Sequence, residues 1–186
     1  AIAAARTGAS VLLVEKLPFL GGNSTAVLDT FYGFYTPGSQ SLRIVDSIPG
    51  EVIRELETLG RVVERPNTYG AGTGVTYITE HLKVAWERLV TDAGVRVLLH
   101  AVVQDARVSD GRISEILLAT KLGLRRASAT TFVDASGDAD LSYYAGFGFE
   151  TAGEISPAQT LTATFRMINV DLAERATINK DELRAL

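Results

Sequence analysis

The chain has 186 residues, 46% apolar and 22% charged, with a formal net charge of −4 and no cysteine. This composition excludes a disordered chain, and the lack of cysteine excludes a disulfide framework and any Cys-ligated zinc or iron–sulfur site within these residues. No basic block and no run of ~18–20 apolar residues is present, so neither nucleic acid nor membrane is an expected partner, and a reducing, cytoplasmic location suits the composition.

The first residues, "AIAAARTGAS", begin without Met in what reads as the middle of a helix, and the last, "INKDELRAL", are again helical in pattern; the expectation is a piece of a longer polypeptide. Residues 1–7 are alanine-rich and favour helix, with Gly8 just past the helix end. Residues 10–15 follow with Val11, Leu12, Leu13 and Val14 unbroken, the pattern of a strand buried on both faces in a parallel sheet. Helix, glycine and buried strand form the second half of a βαβ unit. Residues 16–40 read as loop. Residues 49–59 read as a helix with Val52, Ile53, Leu56 and Leu59 on one face and Ser47 as its cap, and residues 65–76 read as irregular.

The firmest helix covers residues 79–93, where Leu82, Ala85, Trp86, Leu89, Val90 and Ala93 keep helical spacing up to Gly94. Residues 95–99 are a predicted strand. A β-meander comes next, with strands over 102–108, 113–120 and 124–130 and turns at Asp110-Gly111 and near Gly123. Residues 131–135 read as a further strand leading into a helix over 138–145 that stops at Gly146. Residues 160–171 alternate like a strand, with Leu161, Ala163, Phe165 and Met167 on one side.

Glu15 is the first candidate for chemistry. In a dinucleotide-binding βαβ unit, an acid at the end of the second strand accepts hydrogen bonds from the adenosine ribose, ~20 residues after the glycine-rich phosphate turn. Counting back from Glu15 puts that turn before Ala1, so residues 1–7 would be the last turns of the helix that faces the phosphates. Lys16, the next residue, is grouped with Glu15. The pair Gly21-Gly22 exposes backbone N–H groups and permits close approach to an anion. Asn23, Ser24 and Thr25 add side-chain donors able to cap a helix beginning there.

Three stretches carry a family resemblance. "GASVLLVEKLPFLGGNST" resembles the post-strand signature of large FAD-dependent oxidoreductases with a glutathione-reductase-type FAD domain, most of all the heterodisulfide-reductase-A-like flavoproteins; fumarate-reductase and succinate-dehydrogenase flavoproteins are more distant. "TTFVDASGDADLSYYAGFGFE" is similar to the family's strand ending in Asp-Ala-Thr-Gly-Asp, with Ser136 where Thr is usual. The resemblance implies Ala135, Ser136 and Gly137 as backbone neighbours of FAD, with Asp138 close by. "HAVVQDARVSDGRISEILLAT" resembles the family's strand and meander insertion and implies that the Val103 backbone binds adenine, Val102 being the alternative register.

The resulting expectation is an α/β fold: an incomplete Rossmann-like FAD-binding domain with a three-stranded antiparallel β-meander insertion and a portion of a substrate domain. Its divisions are residues 1–30 (first FAD-binding segment, truncated at its start), 31–76 (cap segment), 77–150 (second FAD-binding segment, with the meander) and 151–186 (start of a substrate segment). The function implied is flavin-mediated hydride or electron transfer on a small-molecule substrate, with an electron-transfer partner or iron–sulfur domain outside this chain. Lacking the first strand and its phosphate turn, the chain by itself is expected to bind FAD weakly or not at all. The alternatives are a non-catalytic Rossmann-like nucleotide-binding module and an NAD(P)-dependent dehydrogenase domain; the Gly-Gly loop and the meander speak against the second.

Other residues are given plainer roles. Asp134, Asp138 and Asp140 lack the spaced oxygen ligands of a calcium loop, so no metal is assigned; Asp138 is read as a helix N-cap and Asp134 as facing solvent. His81 and His100 have no catalytic partner in the pattern. The aromatics Phe31, Tyr32, Phe34 and Tyr35 read as core packing, with a wall beside the flavin ring as the alternative.

Overall fold

The computed structural model describes residues 1–27, 34–38, 40–66, 72–161, 163–165 and 167–178. Helix α1 (Ile2–Arg6) leads into strand β1 (Leu12–Val14), which pairs in parallel with β4 (Arg96–Leu98), Leu13 opposite Val97. Between these strands lie α2 (Asn23–Ala26), α3 (Ile48–Leu59), the antiparallel pair β2 (Val63–Pro66) and β3 (Thr73–Thr76), and α4 (Thr79–Asp92). The antiparallel sheet β5 (Val102–Ser109), β6 (Arg112–Thr120) and β7 (Gly123–Ser128) follows, then the short helices α5 (Asp140–Tyr144) and α6 (Leu172–Thr177).

The parallel pair is packed from two sides, because successive strand residues point to opposite faces. Leu13 meets a cluster built from Ile2 of α1, Leu20, Val90 of α4 and Val95. Val14 and Leu98 turn the other way, onto Ile116 and Leu118 of β6 and Leu141 of α5. The order of layers is therefore helices, parallel strands, meander. Helix α4 serves two clusters on its own side: Trp86 and Leu89 touch both the Ile2–Leu20 cluster and the one formed by Val52, Leu56, Leu82 and Ala85 against α3. Two ion pairs fasten the helices outside the core. Arg6 binds Glu51 through both guanidinium nitrogens at 2.8 and 2.6 Å, and Arg88 reaches Glu55 at 2.7 Å.

The helices over 48–59 and 79–92 and the meander form as their spacing predicts. The Asp110-Gly111 turn has positive φ at both residues (+52° and +72°), as a two-residue hairpin demands. Several expectations are corrected. Residues 65–76 are not wholly irregular, since β2 and β3 pair around them with Glu64 opposite Val75. The loop over 16–40 contains α2. Ser47 occupies the cap position of α3, but its side chain makes no cap hydrogen bond.

Strand β1 contacts both neighbouring layers, yet Leu12 is 41% exposed, because among the described residues the parallel sheet is only two strands wide. Residues 131–135 form no strand: Phe132 packs into the β6 cluster, but no described strand supplies a ladder partner. The described residues of 160–171 are likewise unpaired, with Leu161, Phe165 and Met167 exposed. The helical pattern at the chain end lies almost wholly outside the described residues.

Candidate functional site

Parallel pairing brings the carboxyl ends of β1 and β4 to one edge, where Glu15 stands. Its N–H donates to the Leu98 carbonyl at 2.9 Å, and its own carbonyl accepts the Ala101 N–H at 3.1 Å. The end of β1 is thereby tied to the residue just before β5, and Val103 lies two residues on. The half-buried Glu15 carboxylate accepts the Leu17 N–H through Oε1 at 2.8 Å, while Oε2 has no partner among the described residues. A carboxylate has about four acceptor positions, so Glu15 retains capacity for hydroxyl donors. Lys16 is exposed.

The glycine bend follows Leu20. Gly21 (φ +114°) has no room for a side chain: a Cβ there would stand 2.5 Å from Thr25 Cγ2. Gly22 (φ +54°) has open space where its Cβ would be, so its backbone is accessible. The buried Thr25 closes the bend, its Oγ1 within reach of the Leu20 and Gly22 carbonyls at 3.0 and 3.1 Å. Asn23, Ser24 and Thr25 lie inside α2 rather than capping it; Gly22 holds the cap position, and no side-chain cap bond forms. Tyr77 Oη donates to the Ser24 carbonyl at 3.1 Å and fixes α2 from the β3–α4 side. The Lys83 ammonium lies 4.0 Å from the Phe19 ring centroid and holds the intervening loop.

The third component is the turn before α5, bordering an open depression of about 420 Å³ lined by Asp134, Ala135, Gly137, Ala139 and Ser142. Asp134 does not simply face solvent. Oδ1 accepts the N–H and Oγ–H of Ser136 at 3.1 and 2.7 Å, and Oδ2 accepts the N–H and Oγ–H of Ser142, both at 2.9 Å. Burial pushes the Asp134 carboxyl up, but the bonds from Ser136 and Ser142 outweigh it and hold the group at about 2. Asp138 is not the N-cap. Ala139 is, in left-handed backbone, and the capping acceptors come from Ser136 Oγ (to the Asp140 N–H, 2.9 Å) and from Asp134. One residue of register decides this, because Asp138 sits before the turn closes; it is exposed and unbonded among the described residues.

These components form two groups. Val103 and the 134–142 turn adjoin one apolar cluster, where Val14, Val103, Phe132 and Leu141 pack, and Glu15 follows Val14 just past the end of β1. Gly21 to Ser24 adjoin the other cluster, through Leu20 beside Ile2. Sequence reasoning missed Asp134, Ser142, Thr25 and Tyr77 as organisers. An Asp with Ser two residues on is an Asx-turn signal, so the Ser136 half of the Asp134 network was readable.

Phe31 and Tyr32 lie outside the described residues. The Tyr35 hydroxyl bonds the Glu64 carboxylate on β2, and burial together with that bond pushes it up to about 12. His81 packs its ring against Gly60, and His100 is exposed. Among the described residues no group of three or more His, Asp or Glu is placed to hold a metal, and no helix is long and apolar enough to cross a membrane.

A parallel pair with helices on one side and a meander on the other is the arrangement of an incomplete Rossmann-like α/β domain. The chain belongs to the FAD-dependent oxidoreductase family, whose model matches residues 1–185. Among solved structures it is similar to CabE, an aromatic hydroxylase from angucycline biosynthesis, with TM-score 0.52 and 16% identity over 79% of this chain and 30% of that one. It is also similar to BexE, studied for oxidation during BE-7585A biosynthesis, with TM-score 0.51 and 14% identity over 79% of this chain and 31% of that one. Thermovibrio ammonificans THI4 gives TM-score 0.48 and 16% identity over 77% of this chain and 54% of that one, too low to bear on the fold. The chain thus spans about half of THI4 and less than a third of CabE and BexE. A search of curated proteins found no match. The residues present fit a dinucleotide: Glu15 keeps an oxygen without a partner among the described residues, and Gly22 and Gly137 have positive φ with open space where a side chain would stand.

Proposed function

We propose that this chain forms the nucleotide-holding portion of a flavin-dependent oxidoreductase acting on a small organic substrate. The observation that carries the reading is Glu15 just past the carboxyl end of a parallel strand and bonded to Ala101 ahead of β5, in a chain matched by the family over nearly its whole length. In this reading Glu15 accepts the ribose hydroxyls, with Lys16 beside it. Gly21, Gly22, Asn23 and Ser24 lie on the pyrophosphate side, the Val103 backbone meets adenine, and Ala135, Ser136, Gly137 and Asp138 border the nucleotide. When bound, FAD supplies the hydride or electron chemistry. The protein's role is to bind and orient it.

Residues 1–30 and 77–150 form the flavin-holding portion, and 31–76 and 151–186 contribute toward the substrate. An electron-transfer partner or iron–sulfur domain outside the chain and a cytoplasmic location complete the proposal. The thiol-free composition supports the location, and the resemblance of the three sequence stretches supports the partner. The test is to purify the full-length protein and record its visible spectrum. A flavin band that weakens in Glu15→Gln and Gly22→Val is the expected result. Colourless protein after loading with FAD overturns the reading.

A further inference from the structure

Asp134 ties the two ends of one turn together. One carboxylate oxygen takes both donors of Ser136, the other takes both donors of Ser142, and Ser136 Oγ also accepts the Asp140 N–H. Between these ties Gly137 (φ +91°) and Ala139 (φ +58°) hold left-handed backbone. That conformation is unfavourable for a residue with a Cβ and persists only where its surroundings enforce it. Within the turn, the N–H groups of Ala135, Gly137, Asp138 and Ala139 have no acceptor among the described residues. Asp134 spends all four of its hydrogen bonds inside the protein, so it is not itself a ligand-binding acid. Its work is to hold a strained, donor-rich turn in one shape.

We propose that Asp134 is a positioning residue for the cofactor: it sets the 135–139 turn before FAD arrives, so that the nucleotide meets a preformed backbone surface. This rests on the reading that residues 135–137 border the flavin. Preorganisation lowers the ordering cost of binding, so loss of the clasp appears in affinity beyond what lost stability explains.

The test uses full-length protein, with FAD affinity from fluorescence titration and the thermal midpoint of the FAD-free form. Asp134→Asn, which cannot accept from both serines, is expected to weaken FAD binding by about tenfold. Ile53→Val, a buried change in α3, lowers the midpoint without touching the turn and is expected to change affinity by less than about threefold. Ser136→Ala, which removes one arm, is the milder variant to use if Asp134→Asn does not fold; a loss of more than about threefold is expected of it. Unchanged affinity in the clasp variant used, or an equal loss in Ile53→Val at a matched midpoint, overturns the inference. Wild-type protein that binds no FAD, or Gly137→Val that binds it normally, instead overturns the placement of the turn at the flavin.

Discussion

At the scale of single residues, Asp134 links stability to pH. Its folded value of about 2 lies below its ordinary 3.8, so ionised Asp134 stabilises the fold above the ordinary value and that contribution is lost as pH falls toward the folded one. Acid titration of Asp134→Asn, followed by circular dichroism, is expected to decline less steeply than wild type across that window. Gly21 makes a different prediction. A methyl group there meets Thr25 and forces alanine into left-handed backbone, so Gly21→Ala is expected to cost about 1–3 kcal/mol in chemical denaturation. Both glycines of the bend and the acid ending β1 were legible in the sequence, because each is a local requirement of backbone or strand end. The Asp134 contact with Ser142 was not, since it spans eight residues and depends on where α5 starts. The same one-residue uncertainty moved the cap from Asp138 to Ala139.

Among the elements, α4 was the most legible, because its apolar positions keep one period over fourteen residues and its buried face is the predicted one. Leu82 is fully buried between α3 and α4, and Leu82→Ala is expected to lose about 2–5 kcal/mol of unfolding free energy, whereas the exposed Val84→Ala should change little. The misread elements have a common cause. A helix satisfies its backbone internally, but a strand exists only beside a partner. Residues 131–135 have strand-like composition and no described neighbour to pair with, while β2 and β3 are too short for a clear alternation and become strands because they have each other.

For the whole molecule, the α/β class with its three-stranded meander was legible through the run of buried strand, helix and meander, and the exposed apolar surface was not. Leu161 is 102% exposed, Phe165 78% and Ile168 87%, so these side chains contribute no core burial. Replacing the three with Ser is expected to raise the soluble yield of this chain and leave its thermal midpoint unchanged, as measured by fractionation and calorimetry.

Trp86 is the sole tryptophan of the chain, and it touches both clusters that share α4. Its indole emission is therefore a built-in reporter at a junction. If the α3 side and the β1 side melt as one unit, the fluorescence trace has a single inflection that coincides with loss of helix signal; if they separate, the same fluorophore records two steps.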